Sequence, residues 1–341
     1  MDSITQIVLG AACGEAVLGK KIGNKALLFG AIGGTIPDLD VFTSQWLYNN
    51  EIDIMAAHRG FSHSILFSIM GAVLFGYLLY WIYNRGRRKD VTNRKDWILL
   101  FFWAFFTHIF LDSFTPYGTQ LFLPFSNYRV AFNNISVADP TYTVPFLICL
   151  IVMMFFKRNT PRRRLWLKLG IGISSLYMLF TIGNKFYINS KFKRSLNALQ
   201  IDYVRFSTQP TILNNILWYG IAETKDHYHI ALYSMLDASS NFSNWQKLPK
   251  NHKLVKLEDQ DLQTLTWFSN GYFNVVPLES DGELRYNDLR YVIMDKNGSS
   301  ESVFSFIIYR DGDRWNAKSY TGEQPSQDDI DAFFERVRGV K

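Results

Sequence analysis

Along the first half of the chain, long apolar runs alternate with short basic connections. Residues 64–83 carry no charge and are enough to cross a hydrocarbon core of about 30 Å. Residues 97–114 hold only His108 and Asp112 as ionisable groups, 144–156 form a shorter run, and 165–182 are interrupted by Lys168 alone. These four runs are predicted membrane spans. Ahead of them, residues 4–18 and 26–36 are weaker apolar segments rich in small residues, with Lys20, Lys21 and Lys25 between them. They predict a helical hairpin whose glycines and alanines permit close packing. Asp2 precedes the first segment and no basic leader is present, so this segment is expected to stay in the mature protein.

Past residue 183 the pattern changes. Charged residues become frequent, and short alternating stretches at 227–232, 273–277, 289–294 and 303–309 predict strands. Turn signals separate them: Asp281-Gly282, Asn297-Gly298 and Asp311-Gly312. Residues 326–337 predict a helix with Asp328 and Asp329 in its first turn. The expected fold is an α-helical polytopic membrane domain over 1–183, a bundle of about four long spans plus the hairpin, then a soluble, strand-rich α+β domain over 184–341.

Composition narrows the function. With 48% hydrophobic residues and a net charge of only +6, the chain is not intrinsically disordered. Two cysteines exclude a disulfide framework and a four-Cys zinc site. A basic balance can mean a nucleic-acid partner, but placement argues against one here. Arg85, Arg87, Arg88, Lys89, Arg94 and Lys95, then Lys157, Arg158, Arg162, Arg163, Arg164 and Lys168, sit in connections between apolar runs. Lys and Arg in such positions mark cytoplasmic loops. The expectation is an integral protein of the inner (cytoplasmic) membrane, with the bilayer as its partner and the C-terminal domain extracytoplasmic.

That topology sorts the other ionisable residues. Asp2, Asp38, Asp40, His58, His63, Asp112 and Asp139 all fall at outer ends or in outer loops, with His108 one turn below Asp112. Ionisable groups at such depth are costly and point to function. His108 and Asp112 stand one helical turn apart on one side of a helix and can offer two ligands to one metal, or an interhelical hydrogen bond. His58 and His63 would diverge on a continuous helix; Gly60 offers a break, with Ser62 as the N-cap of the first span. Asp38 and Asp40 follow Pro37, where they fit metal binding, a base beside it, or simple turn chemistry.

Together Asp38, His58, His63, His108 and Asp112 are a nitrogen and oxygen donor set without thiolate, suited to zinc, manganese or iron and sufficient for one or two ions. Asp40 is a candidate base or orienting partner, and Arg59 a candidate contact to a phosphate. Asp2 and Asp139 are possible additions to the set. His227 and His229 share one side of an expected strand, where a solvated face is the simpler reading.

At these motifs the chain resembles the YdjM-like family of inner-membrane-bound metal-dependent hydrolases. The resemblance rests on Met1-Asp2-Ser3-Ile4-Thr5, Pro37-Asp38-Leu39-Asp40, His58-Arg59-Gly60-Phe61-Ser62-His63-Ser64 and His108-Ile109-Phe110-Leu111-Asp112, and covers about the first half of the chain. Many members carry a His after the early Thr; here that position is Gln6. A distant likeness to zinc-dependent phospholipase C and related nucleases implies phosphoester hydrolysis. The expected activity is therefore hydrolysis of a phosphoester or other ester, lipid-derived substrates included, at the outer membrane surface. Two rivals stand beside it. One is a non-catalytic scaffold whose soluble domain binds a protein partner; the other is a transporter using His108 and Asp112 as a proton relay. Clustering of the ionisable residues at one end counts against the relay, and no His-Glu-x-x-His is present for a membrane zinc protease.

Overall fold

The computed structural model describes residues 1–279, 282–296, 299–320 and 326–340. Three residues of the expected turn signals, Asp281, Asn297 and Gly298, lie outside the described residues. The chain divides into two compact units, Met1–Ser44 with Ala57–Ile182, and Gln45–Ala56 with Gly183–Lys341.

The helices in chain order are α1 (Ser3–Ile22), α2 (Asn24–Thr35), α3 (Asp40–Leu47), α4 (Glu51–Ala57), α5 (Ile65–Tyr83), α6 (Arg94–Asp112), α7 (Pro140–Met154) and α8 (Pro161–Ala198). Helices α1 and α2 form the expected hairpin. A Cβ on Gly10, Gly14, Gly30 or Gly34 would collide with the backbone of the facing helix, so these glycines set how closely the pair approaches. Helix α6 packs beside both and beside α5. Its N-terminus is fixed by a capping box between Asn93 and Asp96, and Asp96 also accepts from Lys21 Nζ at 2.6 Å.

Helices α5 and α8 are long and apolar enough to cross a membrane, and α2 with Pro37–Leu47, bent by 41°, can make a third span. Two helices, or three with the bent pair, thus have the length and hydropathy of a span, and the expected count of about four long spans is not confirmed. Helix α6 opens with Arg94, Lys95 and Asp96 and ends on Asp112, and α7 has only 15 residues. Helix α8 overruns its expected end at residue 182. Hydropathy falls there, but Ile188, Phe192 and Leu196 continue an apolar stripe at four-residue spacing and are fully buried.

In the second unit those three residues pack on an antiparallel sheet of β1 (Arg205–Pro210), β2 (Leu217–Glu223), β3 (His227–Ser234) and β4 (Ser243–Pro249), paired in that order. After α9 (Gln260–Phe268) come β5 (Phe273–Pro277), β6 (Leu284–Asp288), β7 (Ile293–Lys296), β8 (Ser299–Ser302), β9 (Ser305–Asp311) and β10 (Arg314–Ser319), then α10 (Gln327–Arg338). The second sheet runs β10-β9-β6-β5, all antiparallel, and β7 pairs with β8 alone. Of the strand expected at 289–294 only residues 293 and 294 lie in β7, because the Asp288 carboxylate accepts from Arg290 N at 3.1 Å and turns the chain ahead of it.

The excursion Gln45–Ala56 is not apparent in the sequence. Ile52 is buried in one core with Leu262, Leu265, Phe273, Tyr286 and Ile308. Asn50 Nδ2 donates to Trp315 O at 2.7 Å, and Arg314 reaches Asp53 at 2.9 Å. The segment Gln45–Ala56 thus belongs to the strand-rich unit.

Candidate metal centre

Each donor is placed by a local interruption of helix. Asp38 sits in the 3-10 turn Pro37–Leu39, where Pro37 takes the first position and α2 has ended. His63 closes the 3-10 turn Phe61–His63, one residue before Ser64. Ser64, rather than Ser62, caps α5 by accepting from Phe67 N at 3.0 Å. His108 and Asp112 lie on the buried side of the last turns of α6.

These four residues form a group able to bind a metal ion, with one ligand atom from each and all such atoms within 4.8 Å of one another. His63 Nε2 is 3.2 Å from His108 Nε2 and 3.3 Å from Asp38 Oδ1. His108 Nε2 is 3.4 Å from Asp38 Oδ1, and Asp112 Oδ2 stands 3.6 Å from His63 Nε2 and 3.8 Å from His108 Nε2. A tetrahedral ion with ligands at about 2.0–2.1 Å separates ligand pairs by about 3.3–3.4 Å.

The hydrogen bonds behind the donors decide what the cluster needs. His108 Nδ1 is 2.7 Å from Gly34 O, which only accepts, so Nδ1 carries the proton and Nε2 of the neutral ring presents a lone pair. His63 Nδ1 faces Asp40 Oδ2 at 3.0 Å, which selects the same tautomer. Two imidazole lone pairs and two carboxylates then converge, an arrangement that repels itself unless a metal ion or an added proton stands among them. His63 shows the same demand for positive charge. Burial disfavours its charged form, yet the hydrogen bonds with Asp38 and Asp40 outweigh burial and raise its pKa.

Asp112 is fully buried and its two oxygens are treated differently. Oδ1 accepts from Gln6 Nε2 at 2.8 Å and from the Met1 amino group. Oδ2 has no hydrogen-bond partner among the described residues, although Arg59 Nε lies 3.1 Å away in an ion pair. A buried oxygen that has an ion pair but no hydrogen bond, and stands beside two imidazoles, is free to serve as a ligand to an ion. Asp38 is the accessible donor, its side chain 27% exposed against 0–1% for the other three.

Asp40, His58 and Arg59 are close by but outside the group. Asp40 gathers four contacts: His58 Nδ1 at 2.8 Å, Arg59 N at 3.0 Å, Ser62 Oγ at 2.8 Å and His63 Nδ1. It orients the turn and the His63 ring. His58, expected as a ligand, is bound to Asp40 instead. Arg59, expected to reach outward to a phosphate, is buried. It adopts a left-handed backbone with φ 56°, stacks its guanidinium on Tyr117 and donates to Thr115 Oγ1 at 3.0 Å. Asp2 caps α1 and Asp139 caps α7, so neither joins the cluster. The only group of this kind among the described residues leaves His227 and His229 out as well.

Sequence reading missed the support. Gly34 O, Gln6, Ser62 and Thr115 carry no signature of a metal site. Gln6 stands out in the sequence only as a departure from the family pattern and Ser62 only as an expected N-cap; here Gln6 positions Asp112 and Ser62 donates to Asp40.

The sequence model of the YdjM inner membrane protein family matches residues 1–187. A relative from Bacillus subtilis (strain 168), "Uncharacterized protein YfhP", is 27% identical over 336 residues, covering 94% of this chain and 95% of its own. No solved structure matches. The matched region contains every residue of the cluster, and the chain belongs to the YdjM inner membrane protein family.

Proposed function

We propose that the protein is a membrane-bound metal-dependent hydrolase of phosphoesters or related esters, with zinc as the ion, held by Asp38, His63, His108 and Asp112. The observation that carries this reading is the convergence of two imidazole lone pairs with two carboxylates at spacings close to tetrahedral edges. Nitrogen and oxygen donors without thiolate suit zinc, and manganese or iron would be tolerated. A divalent ion there would polarise a phosphoryl or carbonyl oxygen and let water act as a nucleophile near neutral pH.

The chain's own residues do the positioning. Asp40 holds the His63 tautomer and the His58 ring together, and Gln6 leaves Asp112 one oxygen for the ion. Arg59 brings a fixed positive charge beside the reacting centre, where charge develops during ester cleavage. The exposed edge of Asp38 supports access from water. On the distribution of Lys and Arg, α6 and α7 serve as further spans, the centre faces the exoplasmic side, and the second unit is extracytoplasmic.

The test is metal analysis of the purified protein with hydrolysis of bis(p-nitrophenyl) phosphate under zinc, manganese or iron. The expected result is about one ion per chain and hydrolysis that a chelator abolishes. A protein without stoichiometric metal, functional with His63→Ala, would instead be the non-catalytic scaffold.

A further inference from the structure

The connection from α6 to α7 contains no charged residue from Thr115 to Tyr128. It is tied down at its middle. Ile65 N, at the start of α5, donates to Leu121 O at 2.9 Å, and Gln120 N donates to Arg59 O at 3.3 Å. Thr119 and Val130 pair through both backbone bonds, at 3.0 and 2.9 Å, and close the loop's base. Its tip is exposed: Phe122 is 47% exposed, Phe125 87% and Tyr128 64%. Phe61, in the turn before α5, is 49% exposed.

Those bonds set the loop's level. Helix α5 is a span, so its first residue, Ile65, marks where the chain enters the hydrocarbon, and the loop is attached at that residue. The metal centre lies at the same level, since His63 stands two residues before Ile65 and Asp112 ends α6. Tyr at the ends of spans settles among lipid headgroups, and exposed Phe beside it buries at the boundary of headgroups and acyl chains. The same residues facing water would be an uncompensated apolar patch.

We propose that the loop Thr115–Tyr128 seats in the bilayer interface, and that the ester presented to the centre belongs to a lipid of that leaflet rather than to a solute. This rests on the hydrolase reading above and names its substrate class. In the reaction a water oxygen bonds to phosphorus or to the carbonyl carbon, the bond to the leaving oxygen breaks, and the leaving oxygen takes a proton from that water. A lipid ester held at headgroup depth reaches Asp38's exposed side by lateral diffusion, with the loop as its guide. A soluble ester has no use for the loop.

The experiment uses the full chain with zinc in vesicles of phosphatidylethanolamine and phosphatidylglycerol, with bis(p-nitrophenyl) phosphate as the soluble ester. The Phe122→Ser/Phe125→Ser variant should lose about tenfold in kcat/KM on the vesicle phospholipids and stay within about twofold on the soluble ester. Equal effects on both esters, or cleavage of the soluble ester alone, would overturn the proposal. Independently, a spin label on Phe125→Cys, with the signal of the labelled parent protein subtracted, should read headgroup depth by its relaxation with oxygen. A fully water-accessible label would overturn the seating. Cleavage of neither ester with the label at headgroup depth would remove the hydrolase reading, and the lipid-substrate claim with it, while leaving the seating intact.

Discussion

The first unit buries two clusters of charge, and they are built on opposite principles. Glu15 and Arg163 form a closed pair: Arg163 Nε and Nη2 grip both carboxylate oxygens at 2.7 and 2.6 Å, and Nη1 donates to Asn24 Oδ1 at 2.7 Å and Phe156 O at 3.0 Å. Gly19 clears the space, because a Cβ there would collide with the Glu15 carboxyl. Every charge is answered. In the Asp38, His63, His108 and Asp112 cluster, lone pairs face lone pairs and Asp112 Oδ2 is left without a hydrogen bond. Burial of ionisable groups among membrane helices is thus not the mark of a site. The mark is burial with a deficit that an outside group can fill.

The sharpest way to break this contrast is His63→Ala. It removes a donor from the centre, and metal per folded chain, measured by plasma mass spectrometry, should drop from about one to under a tenth. Next in size is Glu15→Ala, which strands a buried guanidinium and should cost about 3–5 kcal/mol, read by unfolding in mixed micelles. Adding Arg163→Met should recover most of that loss. Metal content per folded chain should be unchanged in both variants, and a parallel loss of metal would show that the two clusters are not separate devices.

One side of this contrast, the open cluster, was legible in the sequence, and the closed pair was hidden for identifiable reasons. Asp38, His63, His108 and Asp112 were recognisable because rare ionisable residues bordered apolar runs. Spacing cannot show which of two turn histidines faces inward, and His58 contacts Asp40 outside the group of four. Arg163 read as one more loop cation, since its partner Glu15 is far away in sequence. Strands β3, β5 and β9 were visible as alternation, whereas β1, β2, β4, β6, β8 and β10 fell outside the expected stretches. The excursion through Ile52 was not visible either, because a seven-residue helix with one core residue leaves no periodic trace.

Asp40→Asn sharpens the comparison at the next level down. The amide keeps the size of the side chain but accepts less strongly from His58, Ser62 and Arg59 N, and no longer secures the His63 tautomer. Partners behind a metal ligand are worth about 10–100-fold in affinity. Zinc affinity by chelator competition should fall by that factor while the fold persists. An unchanged affinity would mean that Asp40 only shapes the turn.

The smallest effect is expected at Gln6, and it separates the chain from the family pattern that places a His there. The amide nitrogen donates to Asp112 Oδ1 at 2.8 Å and lies 3.4 Å from His108 O, so it ties α1 to α6 at the centre. A hydrogen bond to a charged group contributes about 1.5–3 kcal/mol. Gln6→Ala should lower stability by that amount, yet weaken zinc binding by only about tenfold or less, because the Met1 amino group still holds Oδ1. Gln6→His tests which role the position plays. A ring that merely replaces the amide as donor restores stability and leaves about one zinc per chain. A ring that enters the cluster as a further ligand raises affinity above that of the parent, and would show that the group of four is an incomplete version of a larger donor set.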